Sequence, residues 1–214
     1  MGYGVAIDSL LLVVLIAPVA VYFLFLGLVN SHARPCLVSS RSDFVALTVV
    51  MAPLLVAPLP ALARGGYWWA IGAEAALAAW GFLSMLPGRR AGWVIYNISP
   101  SRGRGLIQAA VAELGWDGQW NGDSWRGRHG VLHLTSLSLL RNVTIHADLG
   151  GASADLQMAS LDAALSRRLA RIEQLPSTTG AFMLLLGVAL LALPIWTMGR
   201  HIQDVVEAVI HLFG

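Results

Sequence analysis

Four stretches of this chain, residues 5–29, 44–63, 67–86 and 179–198, stay apolar over about 20 residues each, the length of helix that crosses a bilayer. No other feature narrows the fold as far. Hydrocarbon offers no hydrogen-bond partners, so a segment of this kind must bond its own backbone, and a helix does so within itself. Composition agrees: 57% of the 214 residues are hydrophobic, 12% are charged, and the mean hydropathy is +0.67. An ordinary soluble domain carries about twice that share of charge. The first stretch, opening "MGYGVAID", has no basic lead and no clean small-residue cleavage site. It reads as a retained span rather than a signal peptide.

All fourteen basic residues are arginine, so an Arg-rich stretch alone carries little weight. Their placement carries more, because basic residues collect in cytoplasmic loops. Arg34 and Arg41 follow the first span, and ten more, from Arg89 and Arg90 to Arg171, lie between the third and fourth; only Arg64 and Arg200 fall on the other side. The expectation is a multi-pass protein of the plasma (inner) membrane with both termini outside and the inserted segment in the cytoplasm. Cys36 is the single cysteine, which excludes an intrachain disulfide and a cysteine metal cage.

Between the third and fourth spans the periodicity changes. "WVIYNIS" has the β-branched and aromatic content of a strand, "GLIQAAVAELG" has helical spacing ending at Gly115, "GVLHLTSLSLL" and "NVTIHADL" alternate as strands do, and "LQMASLDAALSRRLARIEQL" is an amphipathic helix. The predicted fold is an α-helical integral membrane protein with four transmembrane helices, an inserted small α+β domain in β-α-β-β-α order, and a C-terminal amphipathic helix. A further strand is placed around residues 119–125. The predicted boundaries are 1–88 for three spans, 89–176 for the domain, 177–199 for the fourth span and 200–214 for the terminal helix.

"DGQWNGDSWRGR" resembles the start of a calcium loop, with Asp117, Gln119, Asn121 and Asp123 at ligand spacing and Gly122 sixth. The twelfth position, where such a loop needs a bidentate carboxylate, is Arg128. A cation there repels the metal, and Asp117-Gly118 and Asn121-Gly122 are turn dipeptides, so the stretch reads as turns. Trp116, Trp120 and Trp125 around it read as a packed or membrane-facing cluster. No metal, cofactor or nucleic acid is expected, and no nucleophile elbow, zinc motif, P-loop or kinase signature occurs in the sequence.

Four features remain as candidates. Glu74 interrupts the third span about 10 Å from its outer end at 1.5 Å per residue, and an ionisable group there needs a partner, a cavity or water. It reads as an interhelical or intersubunit anchor first and as part of an ion path second. The second span holds Pro53, Pro58 and Pro60, which must bend or break it near its outer end. In "SPSRGRG", Arg102 and Arg104 with the backbone at Gly103 and Gly105 are candidates for anion or lipid contact, beside the plainer reading of a basic surface loop. His133 and His146, near Asp148, fit either a site or the wet face of a sheet.

In the tail, Ile202, Val206, Val209 and Phe213 share a stripe suited to docking on a partner. The short loop "NSHARPCLVSSRSDF" is expected to pack on the inserted domain, with Ser42 or Asp43 capping the second span. Together these features predict a non-enzymatic scaffold or accessory subunit that meets the lipid bilayer and other membrane subunits. The competing readings are a small transport or ion-conducting component built on Glu74 and the broken helix, and a membrane enzyme using His133, His146 and Asp148.

Overall fold

The computed structural model describes residues 2–88, 92–137, 141–151, 153–173, 177–200, 202, 203 and 206. The chain separates into two units. One is drawn from Met1–Phe25, Ala46–Leu86 and Met183–Gly214, and the other from Leu26–Val45 and Pro87–Phe182. The α+β unit thus takes in the segment after the first apolar helix, Leu26–Val45, as well as the inserted stretch predicted at 89–176.

In that unit the first helix, α1 (Gly2–Ser31), ends and the chain enters a four-residue strand, β1 (Cys36–Ser39). After an excursion through three helices the chain returns as β2 (Gly92–Tyr96), α5 (Pro100–Glu113), β3 (Gly118–Asn121), β4 (Ser124–Gly127), β5 (Gly130–Leu137), β6 (Asn142–Leu149) and α6 (Ala154–Leu169). The excursion is α2 (Ser40–Val56), α3 (Leu59–Arg64) and α4 (Trp68–Met85), and the last described helix is α7 (Thr178–Arg200).

The six strands form one sheet in the order β1-β2-β6-β5-β4-β3, with every neighbouring pair antiparallel. The predicted β-α-β-β-α order is corrected in two ways. The stretch from residue 118 to 127 supplies a complete hairpin, and β1 is added to the sheet edge from outside the insert. The calcium-like stretch is that hairpin: Asn121 faces Ser124 across the two-residue turn Gly122–Asp123, with Gly122 at φ +59, a conformation that costs glycine nothing.

Period-2 alternation decides the faces. Trp93, Ile95, Trp125, Leu132, Val143 and Ile145 point to one side and form the core with Leu106, Ile107, Ala110 and Val111 of α5 and Leu161, Ala164 and Leu165 of α6. Gly103 makes the approach of α5 possible, since a Cβ there would stand 2.9 Å from the Val143 side chain. Trp116 and Trp125 belong to this core, and Trp120 packs against its edge, so the tryptophan cluster is internal.

The connection between the first two apolar helices is more tightly built in than a packed loop. Leu37 pairs with Ile95, the Asn97 amide donates to the His32 carbonyl at 2.8 Å, and the Tyr96 hydroxyl donates to the Asp43 carboxylate at 2.5 Å. Ser39, rather than Ser42 or Asp43, caps α2 by accepting the Ser42 N–H at 3.0 Å. Asp43 is thereby left to hold the sheet. Near the start of α7, Gly180 lies against the backbone of Asn30, where a Cβ would come within 2.8 Å of the carbonyl carbon.

Among the described residues, three helical segments are long and apolar enough to cross a membrane: Val13–Ser31, Ser40–Arg64 and Thr178–Trp196. The third predicted span, residues 67–86, is not one of them. It forms the 18-residue α4, whose apolar run is interrupted by Glu74 and by Trp68, Trp69 and Trp80. The prolines act as expected: α2 ends at Val56, and α3 begins just after Pro58. In the helical unit Gly187 of α7 packs on α1, and a Cβ there would meet Leu24 at 2.8 Å and the Ala20 carbonyl at 3.0 Å. Small residues of this kind let apolar helices approach where lipid provides no hydrophobic drive.

Candidate functional site

Glu74 lies in α4 and faces a groove it shares with Leu55 of α2, Leu62 of α3 and Trp69, Ala73 and Leu77 of its own helix. Its side chain is half-buried, and among the described residues it has no hydrogen-bond or ion-pair partner. The helices around it bury little: Ser40 is the one buried residue of α2, and α3 and α4 have none. The anchor predicted at Glu74 therefore has no counterpart among the described residues. The groove wall runs past the α2–α3 break, because Leu55 and Leu62 flank Pro58.

The second candidate changes on folding. "SPSRGRG" is the first turn and a half of α5 rather than a loop, with Pro100 in the first turn and the Gly103 N–H already bonded to the Ser99 carbonyl at 2.9 Å. Gly103 faces the core and cannot reach an anion. Positions i and i+2 of a helix point to different sides, so Arg102 and Arg104 part company. Arg104 lies over the Trp120 ring at 4.6 Å, and the Trp120 indole donates to Gln108 one turn along.

Arg102 instead lines a groove between α5 and α6, with Leu106 and Ala109 on one wall and Arg168, Arg171 and Ile172 on the other. Its volume is about 410 Å³, within the range of small-ligand sites. At its rim Glu113 of α5 accepts from Arg167 at 2.9 Å and from Arg168 at 2.8 Å, a two-point clasp between the helices. The Arg167 bond, helped by Arg168 and opposed by some desolvation, holds the Glu113 carboxyl below its ordinary range. Arg102 and Arg171 are exposed, with no acid partner among the described residues. Sequence reading found Arg102 and missed Arg168 of α6 and Arg171 in the turn that follows it, which reach the same groove from about 65 residues further along the chain and were visible only as basic residues near the end of an amphipathic stretch.

The histidines do meet. His133 stands directly opposite His146 on the face away from α5 and α6, and the Ser124 hydroxyl lies 2.8 Å from His133 Nδ1. Both rings are exposed, and Asp148 faces Val131 at the next position along that face. His133, His146 and Asp148 are exposed on this face, whereas Val94 and Tyr96 at its β2 end are buried. Of the predicted docking stripe, Ile202 and Val206 are exposed, whereas Val209 and Phe213 lie outside the described residues.

The fold and these sites define a class and no more: a chain of mixed helix and sheet with, among the described residues, a six-stranded antiparallel sheet and three helices apolar enough to cross a membrane. Comparison with protein-family models, curated proteins and solved structures finds no match.

Proposed function

We propose that this protein is a non-enzymatic integral membrane subunit, a scaffold or accessory component that holds its α+β domain against the bilayer and engages another membrane protein through α2–α4. The observation that carries this reading is Glu74. A carboxylate inside a span costs roughly 2.5–3.5 kcal/mol on insertion scales unless it is met by a polar group. With no partner among the described residues, this reading assigns that group to a second membrane protein.

The same reading takes four crossings, with α4 as the return. β1 and β2 pair in one sheet, so the chain between them must cross the membrane an even number of times. Ser40–Arg64 supplies one crossing, and α4 is the remaining helix before β2. Its 18 residues span about 27 Å at 1.5 Å per residue, close to the hydrocarbon thickness, and Trp68 and Trp69 at its start suit the interface. Arg34 and Arg41 then put the domain on the cytoplasmic side and both termini outside.

The test is native mass measurement of the protein purified in mild detergent, with mass spectrometry of co-purifying chains. A stoichiometric partner is expected in the wild type, retained in Glu74→Gln and lost in Glu74→Leu. A lone chain in all three would sink the proposal. One observation favours a second reading, a small ion-conducting component: the Pro58 break and Glu74 border the same groove. Loss of ion flux in Glu74→Gln with the assembly intact would select it.

A further inference from the structure

We propose that the groove between α5 and α6 binds the phosphate headgroup of an anionic phospholipid, with Arg102, Arg168 and Arg171 around the phosphate and Leu106, Ala109 and Ile172 under the start of the acyl chains. Charge, shape and position each favour this ligand. Glu113 neutralises one of its two clasping arginines, which leaves the groove with Arg102 and Arg171 as uncompensated cations. Glu173, the acid next along the chain from Arg171, is exposed and does not line the groove.

A planar guanidinium presents paired N–H donors that match phosphate oxygens, and three of them line this groove, from α5, from α6 and from the turn after α6. A soluble phosphate would have no use for the apolar wall beside them. Position supplies the lipid. α6 lies on β1, and the last residue of β1, Ser39, is joined directly to the first residue of the Ser40–Arg64 membrane segment. Arg171 is itself only seven residues ahead of Thr178, where the last apolar helix begins. The second wall of the groove is thus joined through short stretches of chain to apolar helices.

The experiment uses the full chain in an uncharged detergent and follows its unfolding temperature as phosphatidylglycerol, phosphatidylcholine or inorganic phosphate is added. Phosphatidylglycerol is expected to raise the unfolding temperature saturably, and the other two to have little effect at the same concentration. Arg102→Gln and Arg171→Gln are each expected to raise the half-saturating concentration roughly fivefold, as for one basic residue near an anionic surface. The pair Arg126→Gln and Arg128→Gln removes the same charge from the far hairpin and should leave it unchanged.

No response to phosphatidylglycerol, or an equal loss in both pairs of variants, would overturn the site. Equal protection by inorganic phosphate would overturn the lipid in favour of a soluble phosphate ligand. None of these outcomes depends on Glu74 or on a partner subunit.

Discussion

Leu37 stands opposite Ile95 in antiparallel register, which ties the residues just before one apolar helical excursion to those just after it. In a membrane this pairing fixes topology, because both strands must lie on one side. Cys36 is exposed beside Leu37, so the chain carries its own reporter. A membrane-impermeant maleimide should label Cys36 from the same side as a cysteine placed at Arg126 in a Cys36→Ser background. A cysteine placed at Arg64 should label from the opposite side. Labelling of Cys36 and position 126 from opposite sides would exclude the sheet in the membrane-bound protein; labelling of all three from one side would show that α2–α4 does not cross.

Gly187 meets α1 where no larger side chain fits. Gly187→Leu drives carbon atoms into Leu24 and the Ala20 carbonyl, and because a backbone carbonyl cannot move aside, the helices must separate. Overpacking of this sort costs about 1–3 kcal/mol. The unfolding temperature in detergent should fall accordingly, while Gly81→Leu, with nothing within 4 Å of its Cβ, should leave it nearly unchanged. Equal behaviour of the two variants would remove Gly187 from the α1–α7 contact.

The indole of Trp125 lies over a facing pair of glycines, Gly118 and Gly127. A Cβ at Gly127 would come within 2.4 Å of the indole and 2.5 Å of the Asp117 carbonyl, so the ring keeps its place only because both positions are bare. Trp125→Ala should cost about 3–5 kcal/mol, as for a large core aromatic. Gly127→Ala should cost about 1–3 kcal/mol by overpacking. Chemical denaturation followed by tryptophan fluorescence measures both. A Gly127→Ala protein as stable as wild type would mean that the indole sits elsewhere.

What the sequence revealed and what it hid follow from distance along the chain. Gly115 ending α5, Gly122 in its hairpin turn and the Pro58 break are local chemistry, and each was readable from its immediate neighbours. The facing of His133 and His146 was readable too, because β5 and β6 are adjacent and alternation sets which side chains share a face. β1 was not. Four residues between two apolar helices carry too little pattern to declare a strand, and its partner lies beyond three helices. Arg102 and Arg104 were seen as a pair because they are close in sequence, although helical geometry sends one to Trp120 and the other to α6.

Glu113 gives the domain a pH dependence whose direction is set by its clasp. The Arg167 guanidinium, joined by Arg168, holds this carboxyl below its ordinary value of 4.5 in the folded protein. A carboxyl depressed on folding stabilises the native state fully at pH above its unfolded value, and that contribution is lost as pH falls through the folded value. The unfolding temperature of the wild type should therefore exceed that of Glu113→Gln at neutral pH, and the two curves should converge below pH 4.5. The neutral-pH difference should also shrink with added salt, because both partners are partly open to solvent, which screens exposed pairs. A difference that persists unchanged at low pH would mean that Glu113 acts through packing, and that the α5–α6 groove keeps its shape without the ion pair.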